Sequence, residues 1–555
     1  MTTQDTDSAE GLTRRSFLHG SAIGVGSVTL AGGLVGQALN PQRGLAARRR
    51  VVPLPSAAQL GRDIQRMVDF GPRLPGYAAH NAYCDWLEDE FVKAGLELET
   101  CDEYPYDRWQ LEGYTLDVLG GRSPHPIRVA FPYVRSAGTG PRGIVAPLSY
   151  AQADATGAVQ SGAVAPGSIA VIDVPWPQQA TLAGVLTEAL SEYWPGHTAQ
   201  DFASIDFTRV WAAPTLDLSS WEQMGAAGVV LILTGSYEAV RGSFSPHQAP
   251  MSTSIPVFAV DRDAGAALRE LAKAGRTARM TLNAPVQHSA MRTVTAILPG
   301  RSDETIICTT HSDGQNAIEE NGGVALLALA RHFASLPRAQ RPTRTLVFAI
   351  WSAHMTDPHI QPELDGWLRT HPDLVEHAVA GVAIEHLGCT EWLDDPVAGY
   401  HGTGQNEFYG IWTTEGPTQA LAQPLVAGHN LARTALLHGP VVISVGEFFQ
   451  PAGIPYVAGI AGPNYLLVIS DSAEIEKLNF DLASRQVAFY ADMVKAFDTA
   501  DPDQLRTGDP YLGTPTQDQP TTGGNQSQKV VCGPPERTRR GRKQRQPRTY
   551  FPRKK

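Results

Sequence analysis

Two short segments, Arg344–Trp351 and Val379–Ile384, are apolar at nearly every position. A strand with one wet face alternates apolar and polar residues. A strand that is apolar throughout is buried on both faces, which happens where helices cover both sides of a mostly parallel sheet. These runs constrain the chain to an α/β architecture. Their neighbours agree. Thr293–Leu298 and Thr305–Thr310 read as strands, and Gly323–Ser335 reads as a helix with Leu326, Leu327, Ala330 and Phe333 inward. Val441–Val445 and Tyr456–Gly459 are candidates for two more strands, and Phe480–Phe497 is a closing helix. The expected fold class is α/β, a mixed, mostly parallel sheet flanked by helices.

Ahead of this region, Ser56–Phe70 has helical spacing of Leu60, Ile64, Met67 and Val68. Phe70–Gly76 is turn-rich. Ala79–Ala94 reads as a second helix with Trp86, Leu87, Phe91 and Val92 inward, stopped by Gly95. From residue 116 to 291 the pattern changes to short strands (Ile169–Val174, Val229–Leu233, Ile255–Val260) between Pro- and Gly-rich connections, with short helices at 221–228 and Asp263–Ala274. This stretch reads as an inserted, mostly β domain. The expected division is 1–46 signal and linker, 50–115 the first part of the main domain, 116–291 the insert, 292–500 the main domain, and 501–555 a disordered tail. The length of 555 residues accommodates such a division.

The N-terminus carries Thr13-Arg14-Arg15-Ser16-Phe17-Leu18, which resembles a twin-arginine export motif, followed by a mildly apolar, glycine-rich stretch from Gly20 to Leu39. A membrane anchor needs about 20 strongly apolar residues, and the six glycines there make an export segment the better reading. The chain is therefore expected to be exported and to keep no transmembrane anchor after processing. Net charge is −11, which argues against nucleic acid as a partner. Glu536–Lys555 holds ten basic residues and one acid, about +9, and reads as a solvated tail. Five scattered cysteines form no CxxC pattern; Cys84–Cys101 can close a loop, or the thiols stay unpaired and buried.

Ligands of α/β sheets gather at the carboxyl ends of strands. Thr305–Thr310 ends in His311-Ser312-Asp313, and the following loop carries Glu319-Glu320-Asn321-Gly322-Gly323. Arg344–Trp351 runs into His354-Met355, and Val379–Ile384 into Glu385-His386. Three strands thus deliver imidazoles and carboxylates to one edge. That donor mixture suits a borderline divalent ion, zinc above all. His311, Glu320 and Glu385 are the candidate ligands, with Asp313 fixing the His311 tautomer. His386 is a further candidate, although strict strand alternation sends it to the face opposite Glu385.

These motifs resemble the M28 zinc peptidases, co-catalytic aminopeptidases that often carry an inserted protease-associated (PA) domain. The resemblance spans roughly residues 56–498 and rests on Phe70–Gly76, Gly225–Thr234, Ile255–Val260, Ala296–Gly300, His311–Asp313, Glu320–Gly323 and Gly453–Pro455. It implies a PA-like insert over 116–291. It implies that one metal position takes His311, Glu320 and Glu385, each Glu replacing the family's Asp. The family's Glu-Glu pair falls on His354-Met355, and its distant His on Tyr465-Leu466-Leu467. The resemblance therefore implies one metal ion, a second site mostly lost, and an altered base. His354 is the replacement base, because imidazole exchanges protons near neutral pH. Two readings follow: a metal-dependent hydrolase of peptide or amino-acyl amide bonds, or a peptidase fold without catalysis that serves as a secreted binding module. The acidic, aromatic stretch Trp176–Trp211 reads as a solvated loop, and His359, His371 and His377 as exposed.

Overall fold

The apolar runs sit side by side at the middle of a ten-stranded sheet. A computed structural model describes residues 51–121, 123–152, 162–174, 191–193, 219–244, 254–356, 364–514 and 530–531. The main strands are β1 (Glu97–Trp109), β2 (Val286–Leu298), β3 (Thr305–His311), β4 (Thr345–Trp351), β5 (Ala378–Ile384), β6 (Tyr409–Thr413), β7 (Thr434–His438) and β8 (Tyr456–Ala461). Their order across the sheet is β1-β2-β4-β3-β5-β8-β6-β7, with Val530–Val531 outside β1 and Ser191–Tyr193 outside β7. β3 is parallel to β4 and β5, and β5 to β8. β1, β2 and β6 supply antiparallel pairings. Every residue of β3 and β5 is buried, as runs without alternation require.

Helices cover this sheet. α1 (Ala57–Val68) starts where the Ser56 hydroxyl accepts from the Gln59 amide. α2 (Ala78–Ala94) stops at Gly95, whose φ of 100° suits a left-handed cap. Its buried stripe is His80, Tyr83, Cys84, Leu87 and Phe91. Val92 lies one position off that stripe and is 51% exposed, contrary to its expected inward placement. A second sheet of eight strands runs from Gly113 to Asn283. At its middle, Ile144–Gln152, Ile169–Asp173, Gly228–Ile232 and Val257–Val260 are mutually parallel, with helix α3 (Arg262–Lys273) against them. Two apolar clusters of its own fill this sheet. α4 (Gly322–Ser335) follows β3, and α5 (Phe480–Thr499) packs across α1 and β5.

The order β4-β3-β5 makes β3 the point where successive connections leave to opposite sides. The carboxyl ends of β3, β4 and β5 meet there, with His311 paired to Trp351 and Thr309 to Ala383.

Several expectations are corrected. Val441–Val445 is not a strand; the Gly439-Pro440 break ends β7 at His438, and Val445–Phe449 is a 3-10 turn begun by Ser444. His371 is buried and stacked on Trp367 with ring centroids 4.5 Å apart, rather than exposed. The chain stays ordered past residue 505. Tyr511 packs on His438, and the Gly513 amide bonds the Gln450 carbonyl. Ser191–Tyr193, inside the expected insert, pairs with β7 of the main sheet. Cys84, Cys308 and Cys389 are free and buried, in line with the unpaired reading of the thiols. The export segment, His359, most of 176–211 and the basic end lie outside the described residues. No described helix is long and apolar enough to cross a membrane.

Candidate metal centre at the carboxyl ends of three parallel strands

His311 ends β3 and is fully buried. Its Nδ1–H donates to the Asp313 carbonyl at 2.8 Å, which leaves Nε2 as the acceptor nitrogen. The Asp313 carboxylate, expected to hold that ring, stands at 3.4 Å from Nδ1 and instead accepts from the Met355 amide at 2.5 Å. It thereby ties the end of β3 to the end of β4. Burial opposes its charge, yet His311, His80 and that amide hold the Asp313 carboxyl below the usual range.

The loop after β3 is held from three sides. The buried Arg73 guanidinium, from the Phe70–Gly76 turn, donates to the carbonyls of Asn316 and Glu319 at 2.8 Å each. The Asn316 amide donates to the carbonyls of Tyr465, Leu466 and Val468, and its oxygen accepts from the amides of Ile318 and Glu319. Gly314 admits the loop: a Cβ there would sit 1.8 Å from the Glu319 carbonyl oxygen.

This loop presents two carboxylates. Glu319 Oε1 is 3.3 Å from His311 Nε2, and Glu320 Oε2 is 3.7 Å from it. The other Glu320 oxygen accepts from the Gly322 amide at the start of α4. Glu385, just past β5, accepts through Oε2 from the Ser444 hydroxyl at 2.6 Å and the Val445 amide at 2.8 Å. Beside it, His386 has φ of 52°, outside strand geometry. Alternation therefore does not govern it, and its ring turns inward. His386 Nδ1–H donates to the Ala461 carbonyl at 2.6 Å, while Nε2 lies 2.9 Å from Glu319 and 3.2 Å from Glu320.

Donor atoms of His311, Glu320, Glu385 and His386 all lie within 4.8 Å of one another, and so do those of His311, Glu319 and His354. With both rings neutral, His311 Nε2, His386 Nε2 and Glu320 Oε2 are buried without a hydrogen-bond partner; once protonated, His386 donates to Glu319 at 2.9 Å. Buried polar atoms without partners are uncommon and call for an ion or a proton between them. Without an ion the protons do the work. Burial opposes it, but Asp313, Glu319 and Glu320 raise His311 to about 10. Against the same burial, the three glutamates raise His386 to about 9. Burial pushes Glu320 up to about 8, against the pull of both histidines.

His354 is half-buried, with its ring centroid 4.4 Å from that of His311, so it stands beside the cluster on the more open side. Met355 is buried, and its sulfur accepts from the Gln315 amide at 3.1 Å. Leu467 is buried too, and its carbonyl accepts from Phe244, in the chain of the second sheet. Behind the site, His80 Nε2 lies 2.8 Å from Ser312 Oγ. The structure thus brings His311, Glu320 and Glu385 together and puts His354 next to them. Glu319, which sequence reasoning left without a role, faces both histidines. Its adjacency to Glu320 was the available signal, but only the loop path sets the direction of each side chain.

No family model matches the sequence, and no curated protein matches it. Solved structures do. A zinc aminopeptidase from Bacillus subtilis superposes with a TM-score of 0.53 at 16% identity, covering 82% of this chain and 98% of its own. A peptidase M28 precursor from Shewanella amazonensis superposes with a TM-score of 0.55 at 17% identity, covering 80% and 96%. The chain has a zinc-aminopeptidase-like fold. In that fold the cluster occupies the carboxyl ends of the central strands, where α/β sheets collect ligands. Identity this low carries the architecture; the chemistry is argued from the residues.

Proposed function

We propose that this chain is an exported metal-dependent hydrolase of peptide or amino-acyl amide bonds, acting near an amino terminus. One ion is held by His311, Glu320 and Glu385, and His354 is the altered general base. The observation that carries the reading is the convergence of buried imidazole and carboxylate donors, of which His311 Nε2 and Glu320 Oε2 have no hydrogen-bond partner while the rings are neutral. Their nitrogen and oxygen mixture fits zinc or a similar first-row divalent ion. Such an ion supplies Lewis acidity for the scissile carbonyl and acidifies water. The chain's own residues do the rest. Asp313 fixes the His354 segment through the Met355 amide, and the Ser444 hydroxyl and Val445 amide orient Glu385. His354, next to His311 and half-exposed, takes a proton from water and returns it to the leaving amine. The second sheet, as a PA-like insert, sits against the 467–469 segment through Gly242 and Phe244, where it can border the substrate.

A second reading, a peptidase fold serving as a binding module, draws on Met355 and on Leu466-Leu467. A thioether and an isobutyl group stand where the family resemblance puts a hard ligand and an imidazole. Elemental analysis of the purified chain, paired with turnover of amino-acyl amides with and without chelator, separates the two. About one ion per chain with chelator-sensitive turnover supports the hydrolase. No ion and no turnover leaves the binding module.

A further inference from the structure

We infer that His386 is itself a metal ligand, so that this chain builds one mononuclear centre with two imidazoles and two carboxylates, His311, His386, Glu320 and Glu385. The inference rests on the metal-dependent reading and goes beyond it by naming the coordination class. It begins with the backbone. β5 ends at Ile384, and the φ of 52° at His386 breaks the alternation that would point its ring away from Glu385. Asn321 then clamps the turn: its oxygen accepts from the Leu387 amide at 2.8 Å, and its amide donates to the Leu387 carbonyl at 3.0 Å. Asn321 directly follows Glu320, so one residue fixes the spacing of Glu320 and His386.

The two rings are arranged alike. Each donates Nδ1–H to a backbone carbonyl, His311 to Asp313 and His386 to Ala461, and each aims Nε2 at Glu319 and Glu320. Donation from one nitrogen to a carbonyl, with the other nitrogen bare, is how metal-binding histidines are oriented. His386 is 2% exposed, and its Nε2, when the ring is neutral, has no hydrogen-bond donor to accept from. Two neutral imidazoles and the carboxylates of Glu320 and Glu385 carry two negative charges against a doubly charged ion, and buried Glu319 beside both rings adds further negative charge. With four protein ligands already present, room for water requires five or six ligands. The centre therefore suits an ion that tolerates that number among mixed N and O donors.

The test is titration of the chelator-stripped chain with Co2+, read by stoichiometry, affinity and visible absorption, which weakens as coordination rises above four. His386→Asn is the decisive variant, with His386→Ala beside it. Asparagine tolerates positive φ and can still donate to the Ala461 carbonyl, so it keeps the turn. The wild type is expected to take one Co2+ with weak absorption. His386→Asn should bind more weakly by more than the roughly 10–100-fold that losing a ligand's hydrogen-bond partner costs, with a changed spectrum and an unchanged circular dichroism spectrum. Unchanged affinity and spectrum in a folded His386→Asn chain overturn the inference and leave the hydrolase reading standing. Failure of the wild type to bind any Co2+ overturns both.

Discussion

His311 and His386 point their Nε2 atoms at the same two carboxylates, Glu319 and Glu320, from the ends of neighbouring parallel strands. The relationship depends on strand order. β3 and β5 are adjacent, and the loop between β3 and α4 folds back over both ends. Removing either side of it should be felt at the ion. His311→Ala and Glu320→Ala are each expected to bring metal content to background, measured by elemental analysis of protein purified without chelator. Full occupancy in both variants would remove the proposed centre.

His354 is placed to move protons and is absent from the four-donor group. His354→Ala should lower kcat on amino-acyl amides by about 10²–10⁴-fold while metal content stays at the wild-type level. A parallel loss of metal would make His354 a ligand.

The pH dependence of the metal-free chain has a definite sign. His311 and His386 are raised from 6.5 to about 10 and about 9, and Glu320 from 4.5 to about 8. A group whose folded value is raised stabilises fully below its ordinary value, and that stabilisation fades as pH climbs through the folded value. All three act in one direction, Glu320 from about pH 4.5 and the two rings from about 6.5, so the Tm of chelator-stripped protein should fall between about pH 4.5 and 10. The same protons compete with an ion, so metal affinity should rise across that window. A flat Tm there would mean that the neighbouring carboxylates do not hold protons on the rings.

Gly314 is a packing requirement. Any Cβ meets the Glu319 carbonyl oxygen at 1.8 Å and the Glu320 amide at 2.3 Å, both backbone atoms. Gly314→Ala should therefore displace the two glutamates. The expected result is weaker metal binding together with a stability loss of about 1–3 kcal/mol, read by metal titration and urea unfolding. Wild-type values in both would show that the loop yields at no cost.

The segment after α5 should contribute to stability. Asp509 Oδ1 lies 3.2 Å from buried His438 Nε2, and the Asp509 carboxylate accepts from the amides of Glu415 and Tyr511. Asp509→Ala is expected to cost about 1–3 kcal/mol by leaving buried His438 and the half-buried amides of Glu415 and Tyr511 short of a partner, as measured by urea unfolding.

The limits of the sequence show at particular residues. Val379–Ile384 and Arg344–Trp351 read as doubly buried strands because burial on both faces removes alternation, a purely local signature. Ser191–Tyr193 and Thr434–His438 did not read as strands of the main sheet, because at three and five residues each is too short to show a period of its own. Asp509 fell in a polar stretch that composition marks as loose, yet His438 holds it in place.

Residue type and order alone determined the α/β class, the strand ends that carry His and carboxylate groups, and the ligand candidates His311, Glu320 and Glu385. Those properties follow from hydrophobic period and donor chemistry, which each segment carries within itself. Tertiary structure alone decided the inward turn of His386, the facing of Glu319 toward both imidazoles, and the use of the Asp313 carboxylate on the Met355 amide. Each depends on a backbone torsion or a hydrogen bond involving Asn321, Ala461, Arg73 or Met355, and those partners come from separate parts of the chain that only folding brings together.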